Sequence, residues 1–316
     1  MPHLHLPARL EVFAERATRL RQLAASHPMR DFLIFIADVV GAQHEVLKTY
    51  PAVVLPTPDA LDAASRAGMP PVPAAHWPRD PVWRAQFRRL LDLLLPRLDG
   101  SPAQASVRAL RDIDDEALER QADHLLQNVM FGLDMAAAPL IAAGLQTYWT
   151  HLVASTQAAR GTDRLAPFGR TEDATLCPCC GSRPTASVSR IDPSAGGYRY
   201  LHCSLCSAQW HMVRIKCSHC ESTKGIHYQS LMPVAATAES VNVKHSIEAE
   251  TCDVCHHYLK IVRMDRDNQV EPVADDLATL TLDLLVSDDG FERQGVNLML
   301  LFGDPDLPPD SDTGGG

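Results

Sequence analysis

The chain has no stretch approaching the ~20 apolar residues that a bilayer-spanning helix needs. Residues 1–30 also lack the apolar centre of a secretory leader. The expectation is therefore a cytoplasmic protein with no membrane span. A cationic excess is missing too: 29 Lys and Arg face 39 Asp and Glu, giving a net charge of −10, which opposes general affinity for a phosphate backbone and so predicts no nucleic-acid partner. No HExxH, no Gly-rich phosphate-binding loop and no readable Ser/His/Asp set occurs. The expectation is that the chain is not an enzyme.

Its cysteines carry the chemistry. Four Cys-x-x-Cys pairs, Cys177/Cys180, Cys203/Cys206, Cys217/Cys220 and Cys252/Cys255, fall within residues 177–255 and use eight of the nine cysteines. A two-residue gap lets a tight turn aim both sulfurs into one concavity, so each pair supplies half of a tetrahedron with metal–sulfur bonds of ~2.3 Å. Four pairs in succession predict two tetrathiolate metal sites. An odd cysteine count argues against a closed disulfide framework, and a reducing compartment would keep the thiols free for metal. Two alternatives stay open: a thiol–disulfide redox protein, since Cys-x-x-Cys is also a redox motif, and a nucleic-acid-binding zinc ribbon. Between Cys177 and Arg266, ten Lys/Arg meet seven Asp/Glu, an excess of +3. Two ions, each at about −2 with four thiolates, would make that half near neutral or slightly negative.

The first 165 residues have helical periodicity. Leu6, Leu10, Phe13, Ala17, Leu20 and Ala24 form one apolar stripe, ended by His27-Pro28. Asp31 opens a second helix through Phe32, Ile36, Val39 and Val46. The Pro-rich stretch from Pro51 to Pro81 holds at most a short helix from Asp59, closed by Gly68. Asp80-Pro81 starts another through Trp83, Phe87, Leu90 and Leu94. Asp114 caps Leu118, Ala122, Leu125 and Val129, and Pro139 opens Ile141, Leu145, Tyr148 and Leu152. These leucines and aromatics are expected to form the core of a helical bundle.

Beyond Gly161 short β-like runs alternate with the cysteine turns: Thr185–Ile191, Tyr198–His202, Gln209–Lys216, Ile226–Leu231 and Tyr258–Met264. The run from Ser207 to Lys216 contains no Gly, Pro, Asn or Asp. As a strand it would hold the second and third pairs roughly 36 Å apart. The Asp192–Gly197 turn can fold the first two pairs together, and the Glu221–Thr251 loop the last two. The expected sites are Cys177, Cys180, Cys203 and Cys206, and Cys217, Cys220, Cys252 and Cys255. A cross-braced pairing, first with third and second with fourth, remains open. Cys179 is expected to be a free thiol. Seven histidines (202, 211, 219, 227, 245, 256 and 257) lie in this half and are expected around the sites rather than in them, because eight sulfurs already fill two tetrahedra. Trp210 and Tyr198 are expected to cover the sites.

The predicted fold class is α+β. An all-α domain over 1–165 precedes two small zinc-ribbon-like modules with short antiparallel strands, 170–212 and 213–270. A C-terminal helical segment, 271–303, carries a stripe of Leu277, Leu280 and Leu284 and an apolar run from Val296 to Phe302. A Pro-, Asp- and Gly-rich tail, 304–316, is expected to be disordered.

Cys177-Pro-Cys-Cys-Gly-Ser182, Tyr198-Arg-Tyr-Leu-His-Cys203, Cys206 with Trp210 and Arg214, Cys217-Ser-His-Cys220, and Glu250-Thr-Cys-Asp-Val-Cys255 with Tyr258-Leu-Lys260 resemble the FdhE family of formate dehydrogenase accessory proteins. Asp275-Asp-Leu-Ala-Thr-Leu280, Gly290-Phe291, Arg293 and Asn297 extend the likeness. The resemblance implies a cytoplasmic, non-catalytic factor that contacts the molybdenum-containing catalytic subunit of respiratory formate dehydrogenase before export. It also implies rubredoxin-like sites holding iron on the eight named cysteines. Cys179 stands where family members commonly carry another residue. The residues themselves accept iron or zinc alike.

Overall fold

The computed structural model describes residues 2–101, 103–160, 168–191, 197–231 and 245–301. Most of the expected Asp192–Gly197 turn, part of the loop between the last two cysteine pairs, Phe302 and the expected disordered tail lie outside these residues.

The N-terminal region is helical: α1 (Val12–Ala24), α2 (Arg30–Lys48), α3 (Pro58–Arg66), α4 (Val82–Leu94), α5 (Ala103–Arg111), α6 (Asp115–Leu126) and α7 (Ala138–Arg160). The caps follow ordinary chemistry. Thr57 Oγ1 accepts the Ala60 N–H at 3.2 Å with Pro58 in the first turn, and Asp114 accepts the Ala117 N–H at 2.8 Å. α6 stops at Leu126 rather than reaching Val129. Asn128 takes φ +57°, and the Val129 N–H turns back to the His124 carbonyl at 2.8 Å, a Schellman closure. α7 is buried on nearly all faces and packs against α2, α4 and α6, forming the axis of the bundle.

Further helical expectations need correction. Asp31 lies in the first turn of α2 rather than at its start, where Met29 is the N-cap. α1 begins at Val12, so Leu6 and Leu10 are not part of it, and Leu10 is exposed. The residues before it form β1 (Leu4–His5), which pairs with a strand more than two hundred residues away; Pro7 has no N–H to continue that ladder. The stripe Leu277, Leu280, Leu284 is broken into α8 (Pro272–Leu277) and α9 (Leu280–Asp288), because Thr279 donates its hydroxyl back to the Asp275 carbonyl at 2.8 Å. Leu277 is buried and Leu284 is exposed.

The strands are β2 (Pro184–Arg190), β3 (Tyr198–Cys203), β4 (Gln209–His211), β5 (Ile226–Gln229), β6 (Ile247–Cys252), β7 (His257–Arg263) and β8 (Glu292–Arg293). They join in one sheet, ordered β1-β4-β3-β2-β7-β6-β5, with β8 beside β7. Neighbours are antiparallel except β2–β7 and β7–β8. The parallel β2–β7 ladder, Ser187 opposite Ile261, fuses two hairpin systems into a continuous surface. The run from Gln209 is strand only to His211. Past Met212 the backbone is drawn off by Arg199, whose guanidinium donates to the Val213 and Lys216 carbonyls at 3.2 and 2.7 Å. One hydrophobic core runs from the helices into the sheet and takes in Cys177, Cys179, Cys180, Cys203 and Cys206.

Candidate metal centres

Each half of the sheet builds its cysteine cluster the same way, from one knuckle in a loop and one in the turn of a hairpin. Cys177 and Cys180 precede β2, Cys203 ends β3, and Cys206 lies in the β3–β4 turn. Cys217 and Cys220 precede β5, Cys252 ends β6, and Cys255 lies in the β6–β7 turn. Every knuckle closes on a left-handed residue four positions after its first cysteine: Gly181 (φ +74°), Ser207 (+59°), Glu221 (+59°) and His256 (+55°). At three of them the N–H returns to the first cysteine's carbonyl, Gly181 to Cys177 at 2.8 Å, Glu221 to Cys217 at 3.2 Å and His256 to Cys252 at 2.9 Å. Side chains at this position cost strain that glycine avoids.

The fold brings Cys177, Cys180, Cys203 and Cys206 together, and separately Cys217, Cys220, Cys252 and Cys255, with the sulfurs of each group within 4.8 Å of one another. The cross-braced pairing is not formed. In the first cluster Sγ–Sγ distances are 3.6 Å (Cys177–Cys206), 3.4 Å (Cys180–Cys203) and 3.7 Å (Cys180–Cys206). In the second they are 3.7 Å (Cys217–Cys255) and 3.8 Å (Cys220–Cys252). A disulfide needs ~2.05 Å. A tetrahedron with ~2.3 Å metal–sulfur bonds has edges of about 3.8 Å, so each set is close to the size that a four-coordinate ion requires. Backbone donors point at the sulfurs: the Leu205 and Cys206 N–H groups at Cys203 Sγ, and the His219 N–H at Cys217 Sγ, all at 3.4 Å.

The electrostatics fit a cation. Burial opposes a thiolate at Cys177, yet the surrounding thiols of Cys179, Cys180, Cys203 and Cys206 hold it well below the ordinary range. Burial, with that neighbouring charge, pushes Cys203 and Cys206 well above it. In the second cluster burial raises Cys217 and Cys255. Cys220 is lowered: burial opposes its thiolate, but the Ser222 N–H and the thiols of Cys255, Cys217 and Cys252 together outweigh that. A cluster of thiols alone can ionise only in part, and a divalent ion at its centre removes that conflict. Each set could therefore hold one metal ion.

Cys179 is buried beside the first cluster, where desolvation raises its thiol well above the ordinary range. None of the seven histidines joins either sulfur group. His219 stacks on His257 at 3.9 Å beside the second cluster, and buried His202 is driven to a pKa of about 3 by desolvation and by Arg16. Trp210 is buried with its indole N–H on the Ala174 carbonyl at 2.9 Å, and Tyr198 is partly buried, edge-on to His211. A cleft of about 650 Å³ opens between the helical region and the sheet and is lined by His76, Asn128, Cys180, Arg183, Ser204 and His219 among others.

Family models described as "FdhE, N-terminal", "FdhE, central domain" and "FdhE, C-terminal domain" match residues 1–163, 176–214 and 215–300. The chain belongs to the FdhE family. A "Protein FdhE homolog" of Pectobacterium carotovorum is 37% identical over 305 residues, covering 95% of this chain and 92% of that protein. "Protein FdhE" of Salmonella paratyphi A is 36% identical over 304 residues, covering 96% and 93%. The crystal structure of the FdhE protein from Pseudomonas aeruginosa superposes with a TM-score of 0.77 at 37% identity, covering 96% of this chain and all of that one.

FdhE-like motif residues outside the knuckles meet in a buried ion network that spacing alone does not foretell. Lys260 Nζ donates to Asp283 Oδ2 at 2.6 Å and pairs with Asp276 Oδ1 at 2.9 Å. Arg293 clamps Asp276 at 2.7 and 2.8 Å, and Asn297 Nδ2 reaches the same carboxylate at 2.8 Å. Arg19 grips Asp275, at 2.7 Å in its shortest contact, and Arg16 donates to Glu271 at 2.9 Å, tying α1 to α8. The available signal is the Asp275-Asp276 pair inside the apolar run Val273, Ala274 and Leu277, since carboxylates there must find cations.

Proposed function

We propose that the chain is a non-catalytic, cytoplasmic assembly factor that binds the catalytic subunit of respiratory formate dehydrogenase and is needed for its activity. Cys177, Cys180, Cys203 and Cys206 hold one ion in this reading, and Cys217, Cys220, Cys252 and Cys255 a second. The observation that carries it is FdhE-family similarity along nearly the whole chain, together with two complete sets of four sulfurs. Four thiolates fill a tetrahedron and leave no open position for a substrate, which supports a scaffold rather than a catalyst. Sulfurs gathered in two groups of four, rather than in separate pairs, support chelation over thiol–disulfide exchange. Iron is favoured by the family likeness and zinc suits the same donors; either ion would cross-link the knuckles, and iron could also change oxidation state. The helical domain (1–165), the two modules (170–212 and 213–270) and the closing segment (271–303) form one scaffold for the client. The acidic balance of the chain supports a protein client over a nucleic acid.

The test is a pull-down from cells making formate dehydrogenase, comparing the wild type with Cys217→Ser/Cys220→Ser. Recovery of the catalytic subunit by the wild type, with less by the variant, is expected. Failure of both to recover it defeats the reading. Metal analysis and an optical spectrum of anaerobically purified protein decide between iron and zinc.

A further inference from the structure

The two clusters differ sharply in access. In the first, Cys177 and Cys206 are 0% exposed and Cys180 and Cys203 are 1%. In the second, Cys217 and Cys252 are buried, Cys255 is partly exposed and Cys220 lies at the surface. Replacing an ion held by four thiolates requires an incoming ligand to reach it while a sulfur swings away. Only the second cluster presents sulfurs that solvent can reach.

The surroundings reinforce the difference. The first cluster's knuckles are tied to the helical region by the Val72 and Ala74 N–H groups, which donate to the Cys179 and Cys180 carbonyls at 3.1 and 2.8 Å. Gln146 of α7 donates to the Ser204 carbonyl at 2.7 Å, inside the Cys203–Cys206 knuckle. Opening that cluster means parting the bundle from the sheet through the shared hydrophobic core. The third knuckle, by contrast, makes no hydrogen bond to the helices among the described residues: Ser218 exchanges hydrogen bonds of 2.8 and 2.6 Å with Gln294, Arg199 of β3 holds the Lys216 carbonyl at 2.7 Å, and His219 stacks on His257. Local opening there disturbs little else.

We infer that the second cluster is the exchangeable site, where an ion is gained, lost or reached by an external thiophilic ligand in the folded protein, while the first cluster's ion is locked in by the fold. This rests on the metal reading proposed above. It assigns the two sites different work: the inner one holds the helical region to the sheet, and the outer one is where metal supply can act on a finished molecule.

The wild-type chain, loaded with Zn²⁺ at both clusters, is challenged with excess 4-(2-pyridylazo)resorcinol and followed by absorbance. Samples are alkylated with iodoacetamide and mapped by mass spectrometry. Release in two phases is expected, with rates separated by roughly 100-fold or more. Cys220 and Cys255 should be modified in the fast phase, with the first cluster's cysteines protected until the slow one and far-ultraviolet circular dichroism unchanged across the fast phase. Release of both ions in a single phase, or earlier labelling of the first cluster, overturns the inference and leaves the metal reading standing. Folded protein that takes up no ion overturns the metal reading and this inference with it.

Discussion

Replacing Lys260 by Met tests the network that fastens the C-terminal helices to the sheet. The Lys260 side chain is fully buried, and its ammonium is shared between Asp276 and Asp283, whose side chains are 0% and 9% exposed. It also donates to the Asp276 carbonyl at 2.7 Å and to Thr279 Oγ1 at 3.1 Å. Methionine matches its length and apolar stem but leaves two carboxylates facing the single guanidinium of Arg293. Breaking one partner out of a buried ion network costs about 3–5 kcal/mol. At about 2 °C per kcal/mol for a chain of this size, the thermal midpoint should fall by about 6–10 °C, read by differential scanning calorimetry. Adding Asp283→Asn restores charge balance, and the double variant should recover part of that loss, a non-additivity diagnostic of direct coupling. Burial opposes ionisation of Asp276, yet Lys260 and then Arg293 hold it below the ordinary carboxylate range. Its contribution is fully present above the unfolded pKa of about 3.9 and is lost as pH falls through the lower folded value. The gap between wild type and Lys260→Met should therefore narrow in acid. A fall in midpoint of less than about 2 °C, or a double variant weaker than the sum of the single ones, would refute the assignment of Lys260 as counter-ion to both carboxylates.

Gly295→Ala is expected to destabilise by about 1–3 kcal/mol, because an added Cβ would lie 2.5 Å from the Thr185 carbonyl oxygen and 2.7 Å from Leu259 Cδ1. Urea unfolding measures it, and an unchanged midpoint would show that the C-terminal segment sits less closely between β2 and β7. His151, buried and stacked on Tyr50, is lowered to a pKa of about 4 by desolvation and by Arg9. The unfolded chain then holds the extra proton between its own value of about 6.5 and that folded value. Stability should fall as pH drops through this window. His151→Asn should flatten the slope of unfolding free energy against pH, and an unaltered slope would mean that the ring is protonated in the native state.

Much of the helical region was legible because its information is local. Phe13, Ala17, Leu20 and Ala24, or Trp83, Phe87, Leu90 and Leu94, repeat at helical spacing and are buried as that spacing demands. Asp114 marks a start through chemistry confined to one turn. Leu6 and Leu10 misled for the same reason: they continue a local stripe, whereas β1 depends on a partner strand far along the chain. The exposed Leu284 shows that a periodic leucine is no guarantee of a buried one. α5 and β6 passed unread, the first although Ser101-Pro102 precedes it, the second because two carboxylates beside a small Ala249 look solvent-facing until Arg199 and Arg263 pair with Glu250 and Glu248.

By itself, the sequence determined the donors: a two-residue gap between cysteines is a turn-sized distance, so each Cys-x-x-Cys pair carries its geometry with it. The grouping of the pairs was left open between neighbouring and cross-braced, and the fold settled it by bringing Cys177, Cys180, Cys203 and Cys206 together, and Cys217, Cys220, Cys252 and Cys255. The tertiary structure alone decided that both modules share one sheet through the parallel β2–β7 ladder, that Asp276 finds Lys260 and Arg293, and that one cluster is sealed in the core while the other meets solvent. Those outcomes depend on which surfaces meet after the chain has folded back across hundreds of residues, and no local spacing encodes that.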